Sequence, residues 1–306
     1  MSSTVAPFRQ KLFSEQNYFS PLPLSTGQEA VDMMNIIWRK NHVFLDIGNY
    51  NIGSGVMILW SMIILMFGLV FWFENLLPGK NFIEFVGAGI ITGIPALLLI
   101  YNLFQPVPLP IRFNRQRREV CVPRENGQYW IVPWETVTAA STQYTSVSQA
   151  GKNTTGLLLI GFDNPDAQAK AEDKHFFWAF NCGGGVAAMA LWECVRSYME
   201  VGPHAVPETR VGEAPYEETQ IGSVVTSLRK GDILGVLSGL FFITVFGTYF
   251  AEKLQNLKLS VPPDILDVDI IEWSKPLPPE QWVKRSDALE AAIIQREAEL
   301  LARAQS

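Results

Sequence analysis

Three uncharged stretches, each 18 residues or longer, divide the chain. Gly55 to Phe73 reads GVMILWSMIILMFGLVFWF, 19 residues, and Phe85 to Phe104 reads FVGAGIITGIPALLLIYNLF, 20 residues. Each matches the ~20 apolar residues that cross ~30 Å of hydrocarbon as a helix. The connector ENLLPGKNFIE is short and turn-rich, so residues 55–105 predict an antiparallel transmembrane hairpin, kinked at Pro95 in a way membrane helices tolerate. Ile233 to Phe250 reads ILGVLSGLFFITVFGTYF, and its 18 residues lie near the lower limit for a span. It predicts a third transmembrane helix, with Gly235, Gly239 and Gly247 suited to close helix packing; a re-entrant or buried amphipathic segment is the alternative.

Between the second and third runs the period changes. EVCVP alternates, YWIVPWETVTA is β-branched and aromatic, TQYTSVS alternates, and GLLLIGFD and HFFWAF read as buried strands. Asn126-Gly127 is a strong hairpin signal, and FNRQRRE can hold a second tight turn. After Gly183-Gly184-Gly185, Ala188, Leu191, Trp192, Val195 and Met199 recur at helical spacing, and Gly202-Pro203 stops that helix. Strands followed by one amphipathic helix that caps an open end of the sheet is the layout of a pleckstrin-homology-like (PH-like) domain, here over 106–202.

The flanks are weaker in pattern. Residues 1–28 show no periodicity. EAVDMMNIIWRK places Ala30, Met33, Met34, Ile37 and Trp38 on one face and predicts an interfacial helix within an N-terminal segment, 1–54; a helix packed on the β-domain is the alternative. Residues 203–232 read as a Pro-, Gly- and Glu-rich linker. Residues 251–306 read as an extended Pro-rich tail and a terminal helix, with Trp282, Leu289, Ala292, Ile293 and Leu300 as its apolar face. The fold class expected is therefore an α+β membrane protein.

Charge sets the orientation. Arg39 and Lys40 precede the hairpin, Arg112, Arg115, Arg117, Arg118 and Arg124 follow it, and Lys80 stands alone between the spans. Both ends are thereby expected in the cytoplasm, and a true third span would carry the tail to the outer side. The first apolar run begins too late for a cleavable signal peptide, which makes the hairpin a permanent anchor. A net charge of -6 argues against a polyanion-binding molecule, and no nucleic-acid motif occurs. Cys121, Cys182 and Cys194 lack metal or disulfide spacing and read as reduced, buried thiols.

The candidate interaction residues are Arg112, Arg115, Arg117, Arg118, Trp130, Trp134 and Glu135, a basic and aromatic cluster within reach of headgroups. Glu135, Glu193 and Asp163 are placed to pair with these arginines, Glu193 with Arg118 or else with Arg196 in its own helix. Asp264, Asp267 and Asp269 alternate as if on a strand, either a solvated face or a cation site. His42, His175 and His204 have no metal spacing, and no nucleophile, base and oxyanion site assembles. A non-enzymatic protein without cofactors is expected; a hydrolase using Glu135 or Glu193 is the weaker reading.

Three motifs carry a family likeness: Ile111, Phe113, Asn114, Arg115, Arg118 and Val120 (IxFNRxxRxV); Val132, Pro133, Trp134 and Glu135 (VPW[DE]); and Trp192, Glu193, Arg196, Tyr198, Met199, Glu200, Gly202 and Pro203 (WExxRxYMExGP). Over roughly residues 50 to 210 the chain resembles an uncharacterised group of bacterial inner-membrane proteins associated with type VI secretion genes. The resemblance implies a multi-pass inner-membrane protein acting as an immunity or accessory factor, with a toxic effector or other protein as partner. The alternative is a membrane-anchored scaffold or signalling module that senses anionic lipid through its basic face.

Overall fold

The computed structural model describes residues 14–18, 23–76, 82–148, 151–211 and 215–305. The chain folds as two compact units, one built from 1–49, 109–209 and 264–306, the other from 50–108 and 210–263.

In the first unit, β2 (Ile37–Lys40), β3 (Phe44–Ile47), β4 (Ile111–Asn114), β5 (Glu119–Pro123) and β6 (Tyr129–Pro133) form an antiparallel five-stranded sheet in chain order. A second antiparallel sheet joins β1 (Ser14–Tyr18), β7 (Thr138–Ser148), β8 (Gly151–Asp163) and β9 (His175–Asn181). The NG turn is the expected one: Gly127 sits at φ +78°, and the Arg124 and Gln128 backbones close the β5–β6 hairpin at 2.8 Å. The helix α3 (Gly185–Glu200) follows β9 and packs on β7, β8 and β4, so it touches both sheets. Its expected apolar face is buried at all five positions. Phe113, Leu158, Ile160, Phe180, Trp192 and Tyr198 meet in one core around Trp134.

Several expectations need correction. The interfacial helix over EAVDMMNIIWRK does not form. Asp32 instead accepts bonds from the amides of Ile36 and Ile37 at 3.0 and 2.8 Å, and Asn35 takes φ +51°, which ends any helix there. Ile37 then enters β2, paired with Ile47. The N-terminal segment is thus part of the sheet, as the strand β3 (absent from the sequence reading) also is. Within 1–28, Ser14–Tyr18 pairs with β7, and Ser25 and Thr26 bond Glu193; residues 1–13 and 19–22 lie outside the described residues.

The tail is neither simply extended nor separate from the β-domain. Asp267 caps the short helix α7 (Val268–Trp273), and Ser286 caps α8 (Asp287–Ala304). Ile265, Ile270 and Trp273 cover Cys121, Tyr129 and Ile131 on one face of the five-stranded sheet, while Val120, Val122 and Val132 point into the main core. Leu289 is fully buried and Ala292, Ile293 and Leu300 are half-buried, as their spacing predicts; Trp282 is exposed. The tail shares a unit with the β-domain, contrary to the expectation that a third span would separate them.

In the second unit, α1 (Gly53–Leu76) and α2 (Phe82–Phe104) are long and apolar enough to cross a membrane, and only 6% and 11% of their apolar windows are buried. They run antiparallel, with Gly55 against Leu99 and Phe67 against Phe85. Residues 77–81 of their connector lie outside the described residues. The linker expected over 203–232 contains a helix, α4 (Gln220–Arg229), capped by Thr219. The expected single helix over 233–250 is two, α5 (Ile233–Phe246) and α6 (Thr248–Leu259), bent by 70°. Gly247 makes the break: it adopts φ +64°, and the Trp60 ring lies 2.5 Å from where a Cβ would stand.

Candidate functional site

The hairpin turn between β4 and β5, with the VPWE segment and the end of α3, gathers the arginine cluster. Asn114 shapes the turn: its Oδ1 accepts from the Gln116 and Arg117 amides at 3.1 and 3.2 Å, and Arg118 completes it at φ +51°. Asn114 Nδ2 and Arg117 Nε both donate to the Trp273 carbonyl, and Trp273 Nε1 donates to Glu119. Gln116 accepts from the Leu277 amide through its side chain and from the Val283 amide through its carbonyl. The turn is a seat for the C-terminal tail.

Glu200, the last residue of α3, lies at the centre of one ion network. Its side chain is 1% exposed and accepts from Arg118 at 2.9 and 3.2 Å, from Trp134 Nε1 at 2.7 Å and from Arg285 Nε at 2.6 Å. Arg285 donates again to the Glu200 carbonyl at 2.7 Å. Glu135 accepts from Arg118 at 3.2 Å and from the amide and hydroxyl of Ser286. Burial alone would push the Glu135 carboxyl up, but the Ser286 bonds and the Arg118 charge hold it below its ordinary range. The VPWE glutamate thus binds the residue that caps α8.

A second network lies on β3 and β4. Arg112 donates to both oxygens of Asp46 at 2.7 and 2.8 Å and to Asp264 at 2.7 Å, and Arg39 approaches both carboxylates. The two-point geometry is that of an ionised pair. Burial disfavours the Arg112 charge, yet the bonds and charges of Asp46 and Asp264 hold the guanidinium protonated more firmly than usual. Burial also pushes the Asp46 carboxyl up, against the pull of Arg112 and Arg39. Asp264, less buried, is held below its ordinary range by Arg112 and Arg39, which outweigh its burial.

The predicted interaction residues therefore do not form an open basic face. Arg112 and Arg118 are buried and paired, Trp134 is wholly buried against Trp192 at 5.5 Å, and Trp130 is buried with Arg124 over its ring. Arg115 lies over the Trp282 ring and donates to the Val201 carbonyl. Of the carboxylates expected to meet these arginines, Glu135 does. Glu193 takes Arg196, the other partner expected for it, and accepts from Thr26, which together hold it below its ordinary range despite burial. Asp163 meets His175 across β8 and β9 at 2.7 Å. Even the orientation signal is used internally: Lys40 binds the Val206 carbonyl and Glu208.

The cation-site alternative for the tail aspartates is not met, since Asp264 is an ion-pair partner and Asp267 a helix cap; no metal-ligating cluster occurs among the described residues. Sequence reading gave no role to Asp46, Arg285 or Ser286. A lone acid between Leu45 and Ile47 is the overlooked signal of a buried partner for one of the arginines. Comparison with family models, curated proteins and solved structures finds no match to this chain.

Proposed function

We propose that this chain is a non-enzymatic, multi-pass protein of a bacterial inner membrane, with α1 and α2 crossing as a hairpin and the β-domain in the cytoplasm. In this reading the two sheets and α3 form a PH-like domain that binds another protein, as an immunity or accessory factor against an effector of type VI secretion. One observation carries the choice of binding over catalysis: apart from Arg115, the charged residues of the three motifs are spent on each other, on the N-terminal segment and on the tail. Arg118, Glu135 and Glu200 with Arg285 act as fasteners between segments distant in sequence, while Glu193 pairs with Arg196 one turn along α3. Such fasteners fix a surface without supplying a reactive group. The lipid-sensing alternative retains mainly Arg115 and Arg117 as half-exposed cations.

The test is co-expression with the effector encoded beside this chain's gene. Protection from the toxin and recovery of a complex from solubilised membranes are expected. Neither protection nor complex overturns the immunity reading. Charge reversal at Arg115 and Arg117 that abolishes function while leaving effector binding intact supports the lipid-sensing scaffold in its place.

A further inference from the structure

We propose that α4, α5 and α6 form a re-entrant segment, which enters the hydrocarbon from the β-domain side, ends partway across and returns. Its partner is the acyl-chain region of the same bilayer that α1 and α2 cross, so the proposal rests on the spanning reading of that hairpin.

The first argument is connectivity. Ile47, before the hairpin, and Ile111, after it, are paired neighbours in one sheet, so the chain leaves and re-enters the first unit at one place. The second excursion begins just after Val206, whose carbonyl accepts from Lys40, and ends at Asp264, which binds Arg112. Both ends are therefore held by residues of the same β-sheet. A chain that departs from and rejoins one folded body crosses a bilayer an even number of times. Two crossings between 210 and 263 would need two spanning helices. The helix α4 has 10 residues and α5 has 14, about 15 and 21 Å at 1.5 Å per residue, against ~30 Å of hydrocarbon. The number of crossings is zero.

The second argument is chemical. None of the α5 residues is buried, and Ile233, Leu234, Leu237 and Phe241 are more than half exposed. An uncharged helix that is apolar all round is stable in lipid and a liability in water. Its N-terminal end is polar, with Arg229, Lys230 and Asp232 exposed, as at a headgroup boundary. Its C-terminal end is broken where α1 has already run seven to eight residues from Gly53, about 11 Å in. A helix end at that depth has carbonyls that no water will satisfy. Here they are satisfied by α1: Trp60 Nε1 donates to the Thr244 carbonyl at 2.8 Å, and Ser61 Oγ donates to that of Val245 at 3.2 Å. From this break α6 returns along α1, with Ala251 beside Gly53, Gln255 bonding Ile52 and Tyr50, and Lys258 donating to the carbonyls of Leu103 and Gln105 at the C-terminal end of α2.

The experiment uses the full-length protein in membrane vesicles of known orientation and a membrane-impermeant maleimide. Lys230→Cys and Gln305→Cys are expected to react on one face and Lys80→Cys on the other, above the background set by the parent protein. Leu240→Cys is expected to react at least ten-fold more slowly than Lys230→Cys from either face. After labelling with a membrane-permeant, environment-sensitive dye, it should be quenched by nitroxide-bearing lipid. Reaction of Lys230→Cys on the face of Lys80→Cys overturns the re-entrant proposal and leaves the hairpin standing. Reaction of Lys80→Cys on the face of Gln305→Cys overturns the spanning hairpin itself. Leu240→Cys reacting as fast as Lys230→Cys shows a segment in water and overturns the insertion.

Discussion

Replacing Glu200 with glutamine tests whether the arginine cluster is structural. The substitution keeps the shape of the side chain and one acceptor oxygen, but removes the charge shared by Arg118 and Arg285. Breaking a buried ion pair by neutralising one partner costs about 3–5 kcal/mol, most of it from the charge left unpaired. Two features place Glu200→Gln at the low end. Arg118 retains Glu135 at 3.2 Å, and Arg285, whose side chain is 32% exposed, can turn to water. A loss of about 3 kcal/mol is expected, and for a unit of this size each kcal/mol lowers Tm by about 2–4 °C. Thermal unfolding of the detergent-solubilised protein should therefore begin about 6–12 °C lower. Tryptophan emission is the readout, because Trp134 and Trp192 pack against each other, tilted, at the site. Arg285→Ala removes the solvent-exposed arm of the same network and should cost about 1 kcal/mol. The double variant should lose less than the sum of the single losses, because the two changes delete one shared contact. A Glu200→Gln protein melting within 2 °C of the parent, or strictly additive losses, would refute the fastener reading.

Three further outcomes follow from the same geometry. Glu135, Glu193 and Asp264 are held below their ordinary ranges in the folded chain, so their contribution is fully present above about pH 4.5 and is lost as pH falls through the depressed values; acid titration of stability should show a steep loss below that pH, reduced in Glu193→Gln. Burial pushes the Cys121, Cys182 and Cys194 thiols up to about 12, 11 and 12, so a thiol reagent at pH 8 should modify none of them in the native protein and all three after denaturation. A Cβ at Gly156 would stand 2.0 Å from the Gly184 carbonyl group, where β8 meets the turn into α3; Gly156→Ala should cost at least about 2 kcal/mol in chemical denaturation, and an unchanged midpoint would contradict that close approach.

The stretch from Pro110 to Glu135 shows which features were legible in sequence. Its strands and turns were readable because they rest on local chemistry: alternation in EVCVP, the NG pair, and an Asn able to bond the amides two and three residues on. The arginines were misread for the opposite reason. Their partners Asp46, Glu200 and Asp264 lie up to 152 residues away, as in the Arg112 bond to Asp264, and no spacing rule links them. With partners unseen, four arginines near a membrane resemble a surface.

Local pattern was enough to locate the two long apolar helices, the strand-rich middle with its closing helix, and the buried face of α3. Those features follow from periodicity and from the length of uncharged runs. It took the fold to make Ile37–Lys40 a strand: its apolar residues serve a sheet edge beside β3, and pairing with a neighbour overrides a weak helical pattern. Only it decided that the third apolar run breaks at Gly247, where the Trp60 ring occupies the space of a Cβ. And only it returned the tail to the β-domain, because ion pairs and a buried tryptophan across more than a hundred residues are long-range contacts that no local pattern encodes.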